Sequence, residues 1–383
     1  MLKTFEAIKK NFKIKPQAYH IDNWIFRMHY RVTTLIFLVA TLLVTSRQYI
    51  GEHIKCISDK GVPEQVMNTF CFFTTTFTVI SHYDDRMVRD GHVAHPGVGS
   101  YGLNSTEPIQ RHAYYQWVPF VLFGQAIILI EGLQLGAFAF LEKEVAVQDK
   151  KIPSKEKKAE FMATIRKAFI DRIFFNKSWS RWLVFCEILN VANVILQVYI
   201  TDLFLDHQFL TLGTDVIEDG DETVTTLDEV FPKVTKCTFH KYGPSGTIQL
   251  HDAMCVMALN IINEKIYIFL WFWFIILFLL SCLAVFWRFM TIMLHSRSRG
   301  FNRLAFATSC PGKLDPWQML TVTKKCDFTD WLFLKYLAKN MDALVFRELF
   351  LGLAEDLEES KRPLICLESD EEAATLKKPA KFD

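Results

Sequence analysis

Four cysteines, Cys56, Cys71, Cys237 and Cys255, are the residues of this 383-residue chain best placed for covalent chemistry. Two fall in each of two loops between long apolar segments, and in an oxidising compartment they would form two disulfides, with three possible connectivities. A zinc site fits poorly, because no close Cys-x-x-Cys pair occurs among them. Cys310, Cys326 and Cys366 follow the last apolar segment and read as free thiols on a reducing side. Cys186 and Cys282 lie in or beside apolar segments and read as small packing residues.

Polar residues inside the apolar segments are the second group with chemical potential. Glu187, Asn190, Asn193, Gln197 and Thr201 step by three, three, four and four, so a helix puts them on one face. Lipid hydrocarbon cannot satisfy such a stripe, which must therefore face protein or water. It serves either hydrogen bonding between helices or the wall of an aqueous conduit. Thr34, Thr41 and Thr45 share a face in the first apolar segment, with the same two readings. His82, His92, His95 and His112 occupy the first cysteine-bearing loop in no strong metal-binding spacing, and no metal is expected. Asn104-Ser105-Thr106 is a glycosylation sequon in that loop. No phosphate-binding glycine loop, nucleophile elbow or metalloprotease helix motif occurs, so neither an enzyme nor a cofactor is expected.

The elements that must position these groups are membrane spans. Ile266 to Trp287 holds 22 residues without a charge, close to the roughly 20 that cross a bilayer core. The expected organisation starts with an N-terminal segment at 1–31, a first span at 32–48, an outer loop at 49–113 and a second span at 114–138. It continues with an inner loop at 139–181, a third span at 182–203, an outer loop at 204–265, a fourth span at 266–287 and a helical domain and tail at 288–383. The fourth span has almost no polar face and reads as lipid-exposed. Pro119, inside the second span, predicts a kink. Gly132 and Gly136 there form a small-xxx-small pair suited to close helix contact.

Basic residues set the orientation. Seven Lys/Arg lie in the first 31 residues and eleven between Leu141 and Arg181, against five from Ile50 to Ala113 and four from Asp206 to Lys265. Both termini and the middle loop are therefore expected in the cytoplasm, with the cysteine loops outside. No cleaved signal peptide is expected. A net charge of +1 argues against nucleic acid as a partner. Leu2, Phe5, Ile8 and Phe12 form an apolar stripe among lysines, suited to a membrane surface or a pore mouth. Ser81 to Thr106 and Asp206 to Glu229 read as loop, whereas Asp327 to Leu357 has helical periodicity through Trp331, Leu334, Leu337 and Met341. The tail from Glu368 has a disordered composition.

The second span opens Tyr114-Tyr115-Gln116-Trp117-Val118-Pro119-Phe120, and the chain also carries Thr45-Ser46-Arg47-Gln48-Tyr49-Ile50-Gly51 and Ala94-His95-Pro96-Gly97-Val98-Gly99. With Phe231 to Gly246 (FPKVTKCTFHKYGPSG) and Asn260 to Phe274 (NIINEKIYIFLWFWF), these resemble the innexin family, most closely its insect branch, from Ile21 to about Leu357. Phe72, Gly124 and Glu131 depart from the family pattern.

The resemblance implies an all-α membrane protein, a four-helix bundle per subunit with a disulfide-stapled extracellular domain and a cytoplasmic helical domain. It implies homo-oligomeric rings of about eight subunits in the plasma membrane, with other innexins as further ring partners. Two rings dock at cell–cell junctions and pass ions and small metabolites. The N-terminal segment, with Leu2 and Phe5, and the first helix, with Thr34, Thr41 and Thr45, would line the pore. By order, the family's disulfides would join Cys56 to Cys255 and Cys71 to Cys237. An undocked hemichannel of the pannexin kind is the alternative. A four-pass adhesion protein is less favoured, because the loop patterns of tetraspanins and claudins are missing.

Overall fold

Apolar residues that return every three or four positions give each long helix one packing face. In helix α1 (Trp24–Ile50) the buried face carries Thr34, Phe37, Ala40 and Val44, while Leu35, Leu38, Leu42 and Leu43 are exposed. A computed structural model of the chain describes residues 23–51, 53–58, 61–101, 106–141, 163, 166–167, 170, 178–218, 224–307, 322–324, 326–340 and 343–359. Residues 24–137 and 186–283 form one compact unit, and the other described residues belong to a second.

In chain order the first unit's elements are α1, strand β1 (Lys55–Ser58), helix α2 (Glu64–Thr74), strand β2 (Thr76–Val79) and the short helix α3 (Asp85–Arg89). Strand β3 (Ile109–His112), helix α4 (Val118–Leu141), helix α5 (Ser178–Phe204), helix α6 (Phe209–Glu218) and the short helix α7 (Thr226–Val230) follow. Strands β4 (Val234–Tyr242) and β5 (Ile248–Val256) and the 37-residue helix α8 (Ala258–Leu294) complete it, with α4 after Ala137, α5 before Cys186 and α8 after Leu283 belonging to the second unit. Among the described residues, α1, α5 from Ser180 and α8 are long and apolar enough to cross a membrane, and α4 adds 24 mostly apolar residues. These helices start and stop beyond the apolar cores of the sequence, because flanking turns continue the same backbone hydrogen bonding.

Two expectations about the spans are corrected. Helix α8 is not wholly lipid-facing: Tyr267, Leu270, Phe274, Leu277 and Ser281 form a buried face, and the Phe37 and Phe274 rings lie 6.0 Å apart. Nor does Pro119 require a kink. A 3-10 turn at Tyr114–Gln116 delays the helix to Val118, so Pro119 sits in its first turn, where a missing N–H costs nothing.

The fold is mostly helical, but the expected all-α class omitted a five-stranded antiparallel sheet in the order β1-β5-β4-β2-β3. Its centre is the β4–β5 hairpin, two nine-residue strands in register from Val234↔Val256 to Tyr242↔Ile248. Gly243-Pro244-Ser245-Gly246 closes the hairpin, with Gly246 at φ +79° and the Gly243 N–H donating to the Thr247 carbonyl at 2.8 Å. The segments taken as loop are also partly ordered. Asp84 caps α3 by accepting from the Arg86 N–H, and α6 places Phe209 and Leu212 in the core. Gly213 lies against Trp271 so closely that a Cβ there would fall 2.1 Å from a ring atom, and the Trp271 indole donates to the Leu210 carbonyl at 3.1 Å.

The second unit contains helices α9 (Arg299–Ala307), α10 (Phe328–Asn340) and α11 (Ala343–Glu359), packed around Phe306, Trp331, Phe346 and Phe350. Met341 lies outside the described residues. Asn302 organises this core: it accepts from the Trp331 indole at 2.7 Å and donates to the His295 and Ser298 carbonyls at 2.8 and 3.1 Å. Asn302→Leu leaves a buried indole N–H and these carbonyls without that partner, and is expected to cost about 2–3 kcal/mol. A thermal melt of the detergent-purified chain reads the loss, and an unchanged midpoint would remove Asn302 from this role.

Candidate functional site

The two disulfides are Cys56–Cys255 and Cys71–Cys237. Cys56 and Cys255 are directly opposed on neighbouring strands β1 and β5, which lets a short bridge close without bending either strand. Cys71 lies on α2 and Cys237 on the central strand β4, so the second bridge clamps a helix to the sheet. Three of the sulfurs, those of Cys56, Cys71 and Cys255, lie within 4.8 Å of one another, but bonded as disulfides they offer no thiolate to a metal.

The Tyr114–Phe120 segment ties this platform to α4. The Gln116 amide donates to the Phe72 carbonyl at 2.6 Å and the Tyr115 hydroxyl to the same oxygen at 3.3 Å. Both satisfy carbonyls at the C-terminal end of α2, which the helix itself cannot pair. Tyr115 is fully buried, its ring 5.5 Å from that of Phe72, and Tyr114 packs edge-on against Phe204 and Phe231. Trp117, 61% exposed, contacts Phe120 and is free to sit at a membrane interface. The motif therefore links one apolar helix to the segment that carries Cys71.

The Ala94–Gly99 segment is held on the same platform. Gly97 accepts from the Val79 N–H at 2.9 Å and donates its own N–H to the His82 carbonyl at 3.0 Å. Its φ is +72°, and a Cβ there would fall 2.6 Å from the Tyr83 ring. Lys236, nearly buried, donates to the Gly99 carbonyl at 3.0 Å and pairs with Asp252 at 3.1 Å. Gly97→Ala is expected to cost about 1–2 kcal/mol for the left-handed backbone, with the displaced tyrosine ring adding to it. Reduced thermal stability and reduced surface delivery would be measured together, and wild-type values in both would refute the close approach.

The loop histidines are dispersed. The His112 ring is hydrogen-bonded to the Thr78 hydroxyl at 2.8 Å, and burial pushes its pKa down to about 4. His82 reaches Glu107 at 3.7 Å, whereas His92 and His95 join neither pair.

On α5, Glu187, Asn190, Gln197 and Thr201 are buried and Asn193 is half-buried. Gln125 of α4 donates to the Thr201 hydroxyl at 2.9 Å, so part of this stripe bonds a neighbouring helix. On α1, Thr34 is buried within the subunit, while Thr41 and Thr45 are half-buried and the Thr41 hydroxyl donates to the Phe37 carbonyl at 2.8 Å. Leu2, Phe5 and Asn104 lie outside the described residues, and Glu131, Gly132 and Gly136 are described only as helical backbone.

Sequence reasoning missed one polar latch. The His29 ring is hydrogen-bonded to the Ser281 hydroxyl at 2.8 Å, and the Trp273 indole donates to the Thr33 hydroxyl at 3.1 Å. Both pairs join α8 to a π-helical turn, Met28–Thr33, in α1. A lone histidine beside an apolar run was the only available signal, and the turn that aims it leaves no periodic mark.

The family profile described as Innexin matches residues 22–357. The chain is 44% identical over 377 residues to Innexin inx7 of Drosophila melanogaster, an alignment that covers 93% of this chain and 85% of that protein. It is 39% identical over 369 residues to Innexin inx2 of Schistocerca americana, covering 94% and 99% respectively. Innexin inx2 of Drosophila melanogaster is also 39% identical, with 93% and 96% covered.

Proposed function

Because the chain belongs to the innexin family, we propose that it is a large-pore channel subunit forming intercellular gap junctions that pass ions and small metabolites. The observation that carries this reading is the stapled sheet joined to apolar helices. Two disulfides, a hairpin and the Tyr115–Gln116 clamp make both cysteine-bearing loops one rigid platform above the spans. Rigidity suits docking, because a preorganised surface loses little conformational entropy when it meets its copy on the next cell. The excess of Lys/Arg on the opposite loops, and the need of disulfides for an oxidising space, support an extracellular sheet with both termini cytoplasmic.

In this reading rings of about eight subunits form by cyclic symmetry and dock in pairs. The N-terminal segment with Leu2 and Phe5 would line the pore mouth. On α1 the half-buried Thr41 and Thr45 are better placed to face water than the buried Thr34. The polar face of α5 then serves helix packing, for which the Gln125–Thr201 bond speaks.

Paired cells expressing the chain alone test the proposal through dye transfer and junctional current. Coupling between pairs is the expected result. Dye uptake by single cells without coupling would support a hemichannel instead, and silence in both assays would count against a homomeric channel.

A further inference from the structure

The end of helix α8 and the helix that follows it present a surface that the channel reading leaves unused. Along α8 the exposed side chains are apolar from Phe269 through Leu279, Leu283, Phe286 and Phe289 to Met293. At 1.5 Å per residue that stripe is about 36 Å long, enough to pass through the hydrocarbon core of a bilayer. Arg288 does not interrupt it, because that side chain is turned inward and only 6% exposed.

Directly after the stripe the exposed surface changes sign. Arg297, Arg299 and Arg303 are all exposed, and no Asp or Glu occurs between Glu264 and Asp315. Helix α9 buries Asn302, Ala305 and Phe306, which leaves Arg299, Gly300, Arg303 and Leu304 on the opposite face. The space beside Gly300 is open, with no atom within 4 Å of where a Cβ would stand. Among the described residues, neither Arg297 nor Arg303 has a carboxylate partner.

The start of α9 is tied to the end of α8. The Phe301 ring lies 5.6 Å from that of Trp287, at the end of the uncharged run, and Asn302 donates back to the His295 and Ser298 carbonyls. These contacts keep the first turn of α9 close to the end of α8. Arg297 and Arg303 thus follow within ten residues of the stripe's end at Met293, with Leu304, 55% exposed, next to Arg303 in the chain. A guanidinium just past the end of a span can meet lipid phosphate oxygens, which it binds through paired hydrogen bonds, while an adjacent leucine can meet the upper acyl chain.

We propose that Arg297, Arg303 and Leu304 form a docking surface for anionic lipid headgroups of the leaflet next to the helical unit. The inference rests on the membrane reading of α8 but not on docking or conduction. The test uses the full chain, purified as its native assembly and reconstituted in nanodiscs of phosphatidylcholine with a minor fraction of spin-labelled phosphatidylserine. Electron paramagnetic resonance then reports the motionally restricted fraction of the labelled lipid, compared with labelled phosphatidylcholine.

Wild type is expected to restrict phosphatidylserine preferentially. R297Q/R303Q is expected to lose the preference, while R297K/R303K keeps most of it and all three elute alike on size exclusion. Equal restriction of the two lipids by wild type, or an undiminished preference in R297Q/R303Q, would overturn the proposal. Removal of the preference by millimolar inorganic phosphate at matched ionic strength would also overturn it, by identifying a free-anion site. Channel current recorded from the same preparations separates the two readings: absent current with the lipid preference intact counts against conduction alone.

Discussion

Cys56→Ser and Cys237→Ser are each expected to abolish junctional coupling, with a loss of about 2–5 kcal/mol from the sheet-bearing unit. The size follows from what each bridge closes. Cys56–Cys255 spans 199 residues and Cys71–Cys237 spans 166, so each removes a large loop entropy from the unfolded chain. Local structure offers little to replace them. Strand β1 has four residues, and beyond its ladder with β5 the Cys56 N–H finds only the Asn68 carboxamide, at 2.8 Å. Loss of the second bridge would leave α2 held to β4 by packing such as the Phe70–Phe239 ring contact, and would loosen the carbonyls that Tyr115 and Gln116 hold.

Pairing makes a sharper claim than sensitivity to reduction. If Cys56 and Cys255 act as a unit, Cys56→Ser/Cys255→Ser should be no worse than either single substitution. Cys186→Ser and Cys282→Ser, at free cysteines that are only half-buried, should leave junctional current near wild type. Unchanged current in both Cys56→Ser and Cys237→Ser would sink the idea that the staple builds the docking platform.

Local features of the chain were readable because their signals are local. The uncharged run that became the middle of α8 and the three- and four-residue spacing around Trp331 each sit within one element. The sheet was hidden for the opposite reason. Strands β1, β2 and β3 have four residues each, too few for an alternating pattern to stand out, and β2 pairs with β4 through Phe77↔Lys236, far apart in sequence. Pro119 misled because the uncharged run begins at Tyr114, and hydropathy does not separate a 3-10 turn from the helix after it. His29 and Ser281 are 252 residues apart, and no spacing rule joins them. Pairing across such distances is decided by packing of the whole unit, which leaves no trace in any window of the sequence.

Acidification is expected to weaken the sheet-bearing unit through His112. This residue ends β3, is 3% exposed, and faces the Thr78 hydroxyl and the Tyr114 ring. Burial disfavours the imidazolium and lowers the folded-state pKa from 6.5 to about 4. A folded pKa below the unfolded one means that the unfolded chain binds the proton first. Stability is thus fully present above pH 6.5, falls as pH drops from there towards 4, and loses no more from this group below that. The slope through the window approaches about 1.4 kcal/mol per pH unit, and the total is about 3 kcal/mol. His53, whose pKa burial also lowers against an opposing hydrogen bond with Gly51, works in the same direction. Thermal melts of the purified chain between pH 7 and 4 should show the loss, and His112→Gln, which keeps a side-chain partner for Thr78 without titrating, should flatten most of it. A slope unchanged by that substitution would move the acid sensitivity elsewhere. The two arms separate a titrating group from a merely structural one, because a structural role would shift the whole curve and leave its slope intact.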